Sequence, residues 1–537
     1  MRRRIGTAVL TVSAVVCAAA VGAVATGAAP IGNGPALTDV ATANTKSAGY
    51  APASKLSPEL SQIVVARGAT KLENGTAQVA YYGYDNDVIN AAGEPQMLPT
   101  PTVSNEAHKT EPDKNTYLVF PRGLPGADPS YGYGTHFLFQ GHEGGAPGYI
   151  TRINLDADGA HRVTLLATTD SNGAPIADID GSTWDPWAQR LLFTTENQNA
   201  PTYAATPGYP SVVEDVSGAL GRGGYEGIQD DGDGNIWIVE DIGGASKAGT
   251  TAKIPNSFVY RYVPRRPGDV ANGKLQALQV LNAAGDPITQ ASQTPLNSPD
   301  QLALHVYGSS FRTQWLTIHD TSTDGNAPFN ANVLAKAADA TPFKRPENGV
   351  FRPGTHFGEF YFDETGDTNA TSPENANAGG WDSIFRLAQE SPSANTGWLS
   401  IFFKGDQAHA GFDNIQFLSA DSLAVVEDAG DTLHTQRNAL DSGYVFDAGA
   451  DYSNPANQPQ RWLAEGRDAS ATIDSAFGGF GKNDGDNEIT GIHVSNGDPT
   501  VHGVLGTEEP KLFHEGWRWF YTQQHGDNPT YEVVPAG

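Results

Sequence analysis

Seven short hydrophobic runs in this sequence end in side chains that could hold a cation or move a proton. They are THFLFQGHE at 135–143, RLLFTTEN at 190–197, GNIWIVED at 234–241, QWLTIHD at 314–320, GEFYFDETGD at 358–367, SLAVVEDAGD at 422–431 and RWFYTQQHGD at 518–527. Three further segments set a carboxylate beside Gly or Pro at the turn into a strand: GRGGYEG at 221–227 with Glu226, KRPENG at 344–349 with Glu347, and GFDNIQF at 411–417 with Asp413. Hard divalent cations take six to eight oxygen ligands, which carboxylates converging from several segments can supply. Any one of these residues read alone is solvated surface; together they point to a shared cation. DDGDGN at 230–235 has Asp at alternate positions, but a strand follows at once and no bidentate Glu closes the loop, so it reads as a hairpin turn. NDGDNE at 483–488 carries the same ambiguity.

The elements that must position these residues read as β-strands. Short apolar runs alternate with Gly, Asp, Asn and Pro clusters, and no long amphipathic helical stretch interrupts them. The spacing of the seven runs, about 45 to 95 residues, is near or above the four-stranded blade repeat of a propeller. Radial sheets leave one strand each on a central channel, so equivalent strand ends would meet at one mouth. The expectation is an all-β fold: a single large β-propeller of six blades, or seven, with long loop insertions. Six follows if the first and last strands share a blade. A pair of β-sandwiches is the alternative.

Composition narrows the partners. The 537 residues carry 61 acidic and 33 basic side chains, a formal net charge of −28. That surplus argues against nucleic acid or anionic lipid, whose phosphates call for Lys and Arg clusters. A 39% hydrophobic content over this length argues against disorder. Arg2, Arg3 and Arg4 precede an apolar run from Ile5 to about Val24, with small residues for cleavage near Ala25 or Ala29. This is the secretory pattern over 1–29, with a membrane anchor as the alternative. Residues 30–60 read as a flexible leader and 61–537 as the folded domain. The only cysteine, Cys17, lies in the apolar run, so the exported chain would have no disulfide and would depend on core burial, calcium or both. Export by the Sec or twin-arginine route, no membrane attachment after cleavage and a monomeric state are expected.

The ordered motifs resemble the PhoX-type bacterial alkaline phosphatases, exported calcium- and iron-dependent propeller enzymes. His142–Glu143 resembles the family's Asn-His-Glu strand end, with Gly141 in place of Asn. Ser182, Thr183 and Trp184, then Thr195, Glu196 and Asn197, resemble its Thr-Trp-Leu-Thr-Cys-Glu-Glu segment. Gly221, Arg222 and Glu226 match its Gly-Arg…Glu; Arg345, Pro346 and Glu347 its Arg-Pro-Glu; Asp413 and Asn414 its Asp-Asn. Glu488, Thr490 and Gly491 match its Glu-x-Thr-Gly, and Gln524, His525 and Gly526 its Gln-His-Pro-Gly, with Asp527 in place of the final Pro. The resemblance implies a secreted phosphatase that hydrolyses phosphate monoesters of small molecules through a metal-activated oxygen nucleophile. It implies metal ligands among Glu143, Glu196, Glu226, Glu347, Asp413, Asn414 and Glu488, and catalytic roles for Arg345, Glu196 and Glu226, with Arg345 gripping phosphoryl oxygens. His142 and His525 read as structural. Calcium is the expected cofactor. Iron is the less expected one, because Thr195 stands where the family has an iron-ligating cysteine, and a thiolate strongly favours a transition metal. The alternatives are a calcium-stabilised propeller that binds without turnover, and a phosphodiesterase- or phytase-like hydrolase.

Overall fold

In a computed structural model the described residues are 34–46, 53–96, 107–144, 147–293, 298–369, 377, 379–466, 488–524 and 527–537. The expected secretory segment, Cys17, His525, Gly526 and all of NDGDNE except Glu488 lie outside them. So does part of the expected leader.

Two short N-terminal strands, β1 (Lys55–Leu56) and β2 (Leu60–Ala66), join sheets formed much later in the chain. β3 (Thr116–Val119), β4 (His136–Gly141), β5 (Ile150–Asn154) and β6 (Val163–Ala167) form one antiparallel meander. β7 (Ile179–Asp185), β8 (Arg190–Thr195), β9 (Tyr203–Ala205) and β10 (Val213–Asp215) form a second. The next sheet has nine strands. It begins with β11 (Tyr225–Asp230), β12 (Ile236–Glu240), β13 (Val259–Pro264) and β14 (Gly273–Val280). The long β15 (Phe311–Asp320) follows, then β16 (Pro346–Phe351), β17 (Glu359–Glu364), β18 (Ser383–Gln389) and β19 (Thr396–Lys404). β15 pairs with β14 on one side and β19 on the other, fusing two four-stranded meanders. β20 (Phe412–Ser419), β21 (Ser422–Glu427), β22 (Ser442–Asp447) and β23 (Gln460–Ala464) pair onward to β1. The last sheet is β24 (Glu488–Ser495), β25 (Arg518–Gln524) and β26 (Thr530–Pro535), completed by β2.

The first strand of each meander lies on the axis. β3, β7, β11, β16, β20 and β24 neighbour one another in a closed cycle, the propeller-like arrangement expected, and not a pair of sandwiches. The outermost edge is closed by β2 on β26, with Leu60 opposite Pro535, so chain start and chain end share a sheet. Strands such as IWIVE of β12 are apolar almost throughout because sheets cover both faces. Aromatic rings fill the gaps between meanders: Trp237 meets Trp315, Phe351 and Phe360 at centroid distances of 5.0, 5.1 and 4.8 Å. Trp462 of β23 meets Trp519 of β25 at 4.4 Å. Such rings bury large apolar areas with preferred edge contacts. Helices are short, none among the described residues exceeding the eight of Gly430–Arg437.

Axial strands are irregular where they begin. Register shifts fall between Ile179 and Ser182, Tyr225 and Ile228, Pro346 and Gly349, and Phe412 and Ile415. A bulge puts two residues opposite one and re-aims a side chain. The residues inside these bulges include Asp180, Glu226, Glu347 and Asp413. Two glycines let the bulged strands crowd the axis. A Cβ on Gly181 would lie 2.1 Å from the Glu226 carbonyl oxygen, and one on Gly227 would lie 2.8 Å from the Asn348 Cα.

Candidate metal centre

The axial strand heads and the tails of their hairpin partners meet at a cavity of about 350 Å³. Every axial strand sends one carboxylate to its wall: Asp113 just before β3, Asp180, Glu226, Glu347, Asp413 and Glu488. The second strand of each meander contributes a residue at its end: Glu143, Glu196, Thr365, Asp428 and Gln524 line the same cavity, and Asp241 follows β12 beside it. Six of the seven hydrophobic runs read from the sequence are therefore these second strands. The seventh, QWLTIHD, is β15. Its His319 stacks on Phe329 at 3.8 Å and its Asp320 accepts from Ser322 N at 3.0 Å, in the bridge between two meanders and not on the axis. It lies between two paired strands, but of its run only Trp315 and His319 are buried.

Three carboxylate triads have oxygens within 4.8 Å of one another: Asp113–Glu143–Asp180, Asp180–Glu196–Glu226 and Glu226–Asp241–Glu347. Asp180 and Glu226 are shared, so the triads form one chain of donors. Such crowding raises the carboxyl pKa values. Burial, then Asp180 and Glu347, lift Glu226 well above the usual range. Burial and Asp113 do the same to Asp180, and burial and Asp241 to Glu347 despite Arg345. Burial is also the main cause for Asp113, Glu196 and Asp413, lifted to about 6, 7 and 8. Asp180 Oδ1 and Asp413 Oδ2 are buried with no hydrogen-bond partner. Buried polar atoms ordinarily have one.

The remaining predicted residues fall as follows. Arg345 lines the cavity with its guanidinium forked on Asp241: Nε lies 2.8 and 2.9 Å from the two carboxylate oxygens and Nη2 2.6 Å from Oδ2. Nη2 is also 3.7 Å from Glu347 Oε1. Asn414 stands behind the wall, donating to Asp413 Oδ1 at 2.7 Å and Thr490 Oγ1 at 3.2 Å. Thr195 is off the wall too, its hydroxyl donating to the Pro201 carbonyl at 3.1 Å. His142 is buried with both ring nitrogens engaged, Nδ1 with Thr110 at 3.1 Å and Nε2 with Thr151 at 2.9 Å. Burial holds its pKa well below the usual value. DDGDGN is the turn between β11 and β12, its Asp231 saturated by Asp233 N, Asn235 and Trp237 Nε1.

Sequence reasoning missed Asp113, Asp180, Asp241 and Asp428 as members of the site. Asp241 and Asp428 are tails of runs it had already singled out. Asp180 carried a usable signal: an acid followed by Gly at a strand head, as in Glu226-Gly227. Asp113, in EPDKN, had none of comparable strength.

Residues 250–502 match the family model described as Alkaline phosphatase PhoX. Over that span the chain is similar to the PhoX family. That match implies a phosphoric ester hydrolase, and the clustered carboxylates are groups that can hold metal ions. Pseudomonas fluorescens PhoX in complex with vanadate, a transition state analogue, shares the fold. It is 12% identical with a TM-score of 0.52, over 92% of this chain and 98% of that one. A fungal alcohol oxidase of the AA5 family, in complex with copper, aligns at a TM-score of 0.31 and 12% identity over 79% of this chain and 76% of its own. Sqt1 from Chaetomium thermophilum aligns at 0.30 and 11% over 80% and 97%. No curated protein sequence matches the chain. Among the described residues no helix is long and apolar enough to cross a membrane.

Proposed function

We propose that this chain is an exported PhoX-type phosphatase that hydrolyses phosphate monoesters at the axial carboxylate cavity, with calcium as its resident cation. The observation that carries this is the convergence of one carboxylate from each of six axial strands on a single cavity. The axial cycle reads as a six-bladed propeller in which β15 links the third and fourth blades. Export rests on the Arg2–Arg4 segment and the apolar run behind it.

The donor set fits a hard cation. It is all oxygen, it comes from several strands, and it includes the unpartnered Asp180 Oδ1 and Asp413 Oδ2. Asp113, Glu143, Asp180, Glu196, Glu226, Asp241, Glu347, Asp413 and Glu488 are the residues that would hold it. Thr195 supports calcium over iron, because no thiolate is present and its hydroxyl is bonded away from the wall. Bound there, divalent cations supply charge neutralisation and water activation. Arg345 holds Asp241 through Nε and Nη2, which leaves Nη1 for a phosphoryl oxygen; a guanidinium fork suits both tasks. Glu196 and Glu226 are the proposed catalytic carboxylates, Glu196 the more accessible of the two. Metal analysis of the purified protein, with aryl phosphate hydrolysis measured with and without chelator, tests the proposal. Calcium with chelator-sensitive turnover is expected; calcium without turnover would favour a binding propeller.

A further inference from the structure

Inside this ring of carboxylates lies one ammonium that is not paired with any of them. Lys114 is buried on the axis, one residue past Asp113. Its Nζ donates to Asn414 Oδ1 at 2.9 Å and to the Ile492 carbonyl at 3.3 Å, both neutral oxygens. Among the described residues it makes no ion pair; burial lowers its pKa, and Asp413, Asp113, Asp363 and Asp180 oppose that shift. It lines a small second cavity with Ser182, Gln229 and His493, not the carboxylate cavity itself.

The bonds leading away from Lys114 reach two opposed ligands. Because Asn414 Oδ1 accepts from Lys114, its Nδ2 faces Asp413 Oδ1 and Thr490 Oγ1. Asp413 Oδ1 is thereby occupied, and Oδ2 is the atom left without a partner on the cavity side. Thr490 in turn donates to Asp113 Oδ1. One ammonium therefore fixes the amide of Asn414, and through it the orientation of carboxylates on two different axial segments; Asp113 is held on its other oxygen by Gln524 Nε2 at 3.4 Å.

We propose that Lys114 is a positioning residue that serves as the resident cation of the ring, balancing its floor carboxylates and orienting Asp413 and Asp113 before any divalent ion binds. This rests on reading the ring as a cation site. Lys114 reaches Asp413 through Asn414, and Asp113 through Asn414 and Thr490, so one buried side chain ties together two carboxylates of the ring. Without it, the ring depends more heavily on added metal.

The test uses melting temperatures of the full chain, not activity, with chelator and with millimolar calcium, for wild type, Lys114→Met, Asn414→Leu and the double variant. Lys114→Met is expected to melt below wild type without metal and to show a larger calcium-induced rise, since a ligand that binds the native state stabilises it by mass action. The double variant is expected to lose no more than the worse single variant, because both changes cut one chain of bonds. Equal losses with and without calcium, unchanged melting, or additive losses would each overturn the proposal. If Lys114→Met fails to accumulate, growth and purification in calcium should recover it, and no recovery overturns the idea. A wild type that calcium does not stabilise would sink the calcium reading instead; Lys114→Met melting as wild type without metal would then still overturn this one, and lower melting would support it.

Discussion

At the scale of single residues, Arg345 and Glu347 sit two positions apart and 3.7 Å from each other at Nη2 and Oε1, yet they are given different roles. Arg345 is forked on Asp241, and although burial alone would lower its pKa, Asp241 and Glu347 more than reverse that. Lysine cannot reproduce a planar fork. Arg345→Lys is expected to keep the fold and metal content but lower kcat/KM on aryl phosphate by about 10²–10³-fold, the cost of losing one electrostatic donor. Glu347→Gln is expected to lower bound calcium instead; steady-state kinetics beside elemental analysis separates the two. The raised carboxyl pKa values also set a direction with pH. Asp113, Glu196 and Asp413 titrate near 6, 7 and 8 in the fold and near 4 when unfolded, so the native state holds more protons. Their contribution to metal-free stability is complete below about pH 4 and is lost as pH rises through 8. Metal-free melting should therefore fall between pH 5 and 9, whereas calcium affinity should rise, because its ligands must be deprotonated. A melting temperature rising with pH in chelator would contradict this.

At the scale of the element, the bulges at the heads of β7, β11, β16 and β20 link sequence to site. In β7 the bulge carries both Asp180 and Gly181, and a Cβ on Gly181 would meet the Glu226 carbonyl of the next axial strand. A methyl group there has backbone, not a flexible side-chain end, in its way. Gly181→Ala should cost about 1–3 kcal/mol, the usual price of overpacking, and should weaken calcium binding because the two carboxylates shared between triads, Asp180 and Glu226, move apart. Denaturant unfolding with a calcium titration measures both; a variant as stable and as calcium-responsive as wild type would show that the strands have slack.

At the scale of the molecule, closure depends on a long-range pairing. β2 lies opposite β26, Gln62 facing Val533 and Ile63 facing Glu532, so residues from near the two ends of the chain seal one sheet. Removing residues up to 66 would strip the outer strand from the sheet that carries Glu488 and Gln524. An unpaired edge is a template for association. The truncated protein should show self-association by size-exclusion chromatography and a lower melting temperature; a monomer with unchanged melting would mean that three strands suffice.

Much of this was legible before any coordinates. Hydrophobic runs with polar tails, Gly- and Asn-rich strand heads and the motif order pointed to an all-β propeller and to Glu143, Glu196, Glu226, Glu347, Asp413 and Glu488, all of which line one cavity. These features are local: a strand and its flanking turn are written in consecutive residues. The tertiary structure alone decided the rest. QWLTIHD reads like its six counterparts, and only its pairing with both β14 and β19 shows that it bridges two meanders. Asp113 and Lys114 look like ordinary loop charges until the axis brings them against strands 300 and 378 residues away. Thr195 and Asn414 stand at motif positions, but hydrogen bonds to Pro201 and Lys114 decide where their side chains point. Local patterns specify elements; which side chains share a cavity depends on contacts between segments far apart in the chain, and those exist only once the sheets have closed around the axis.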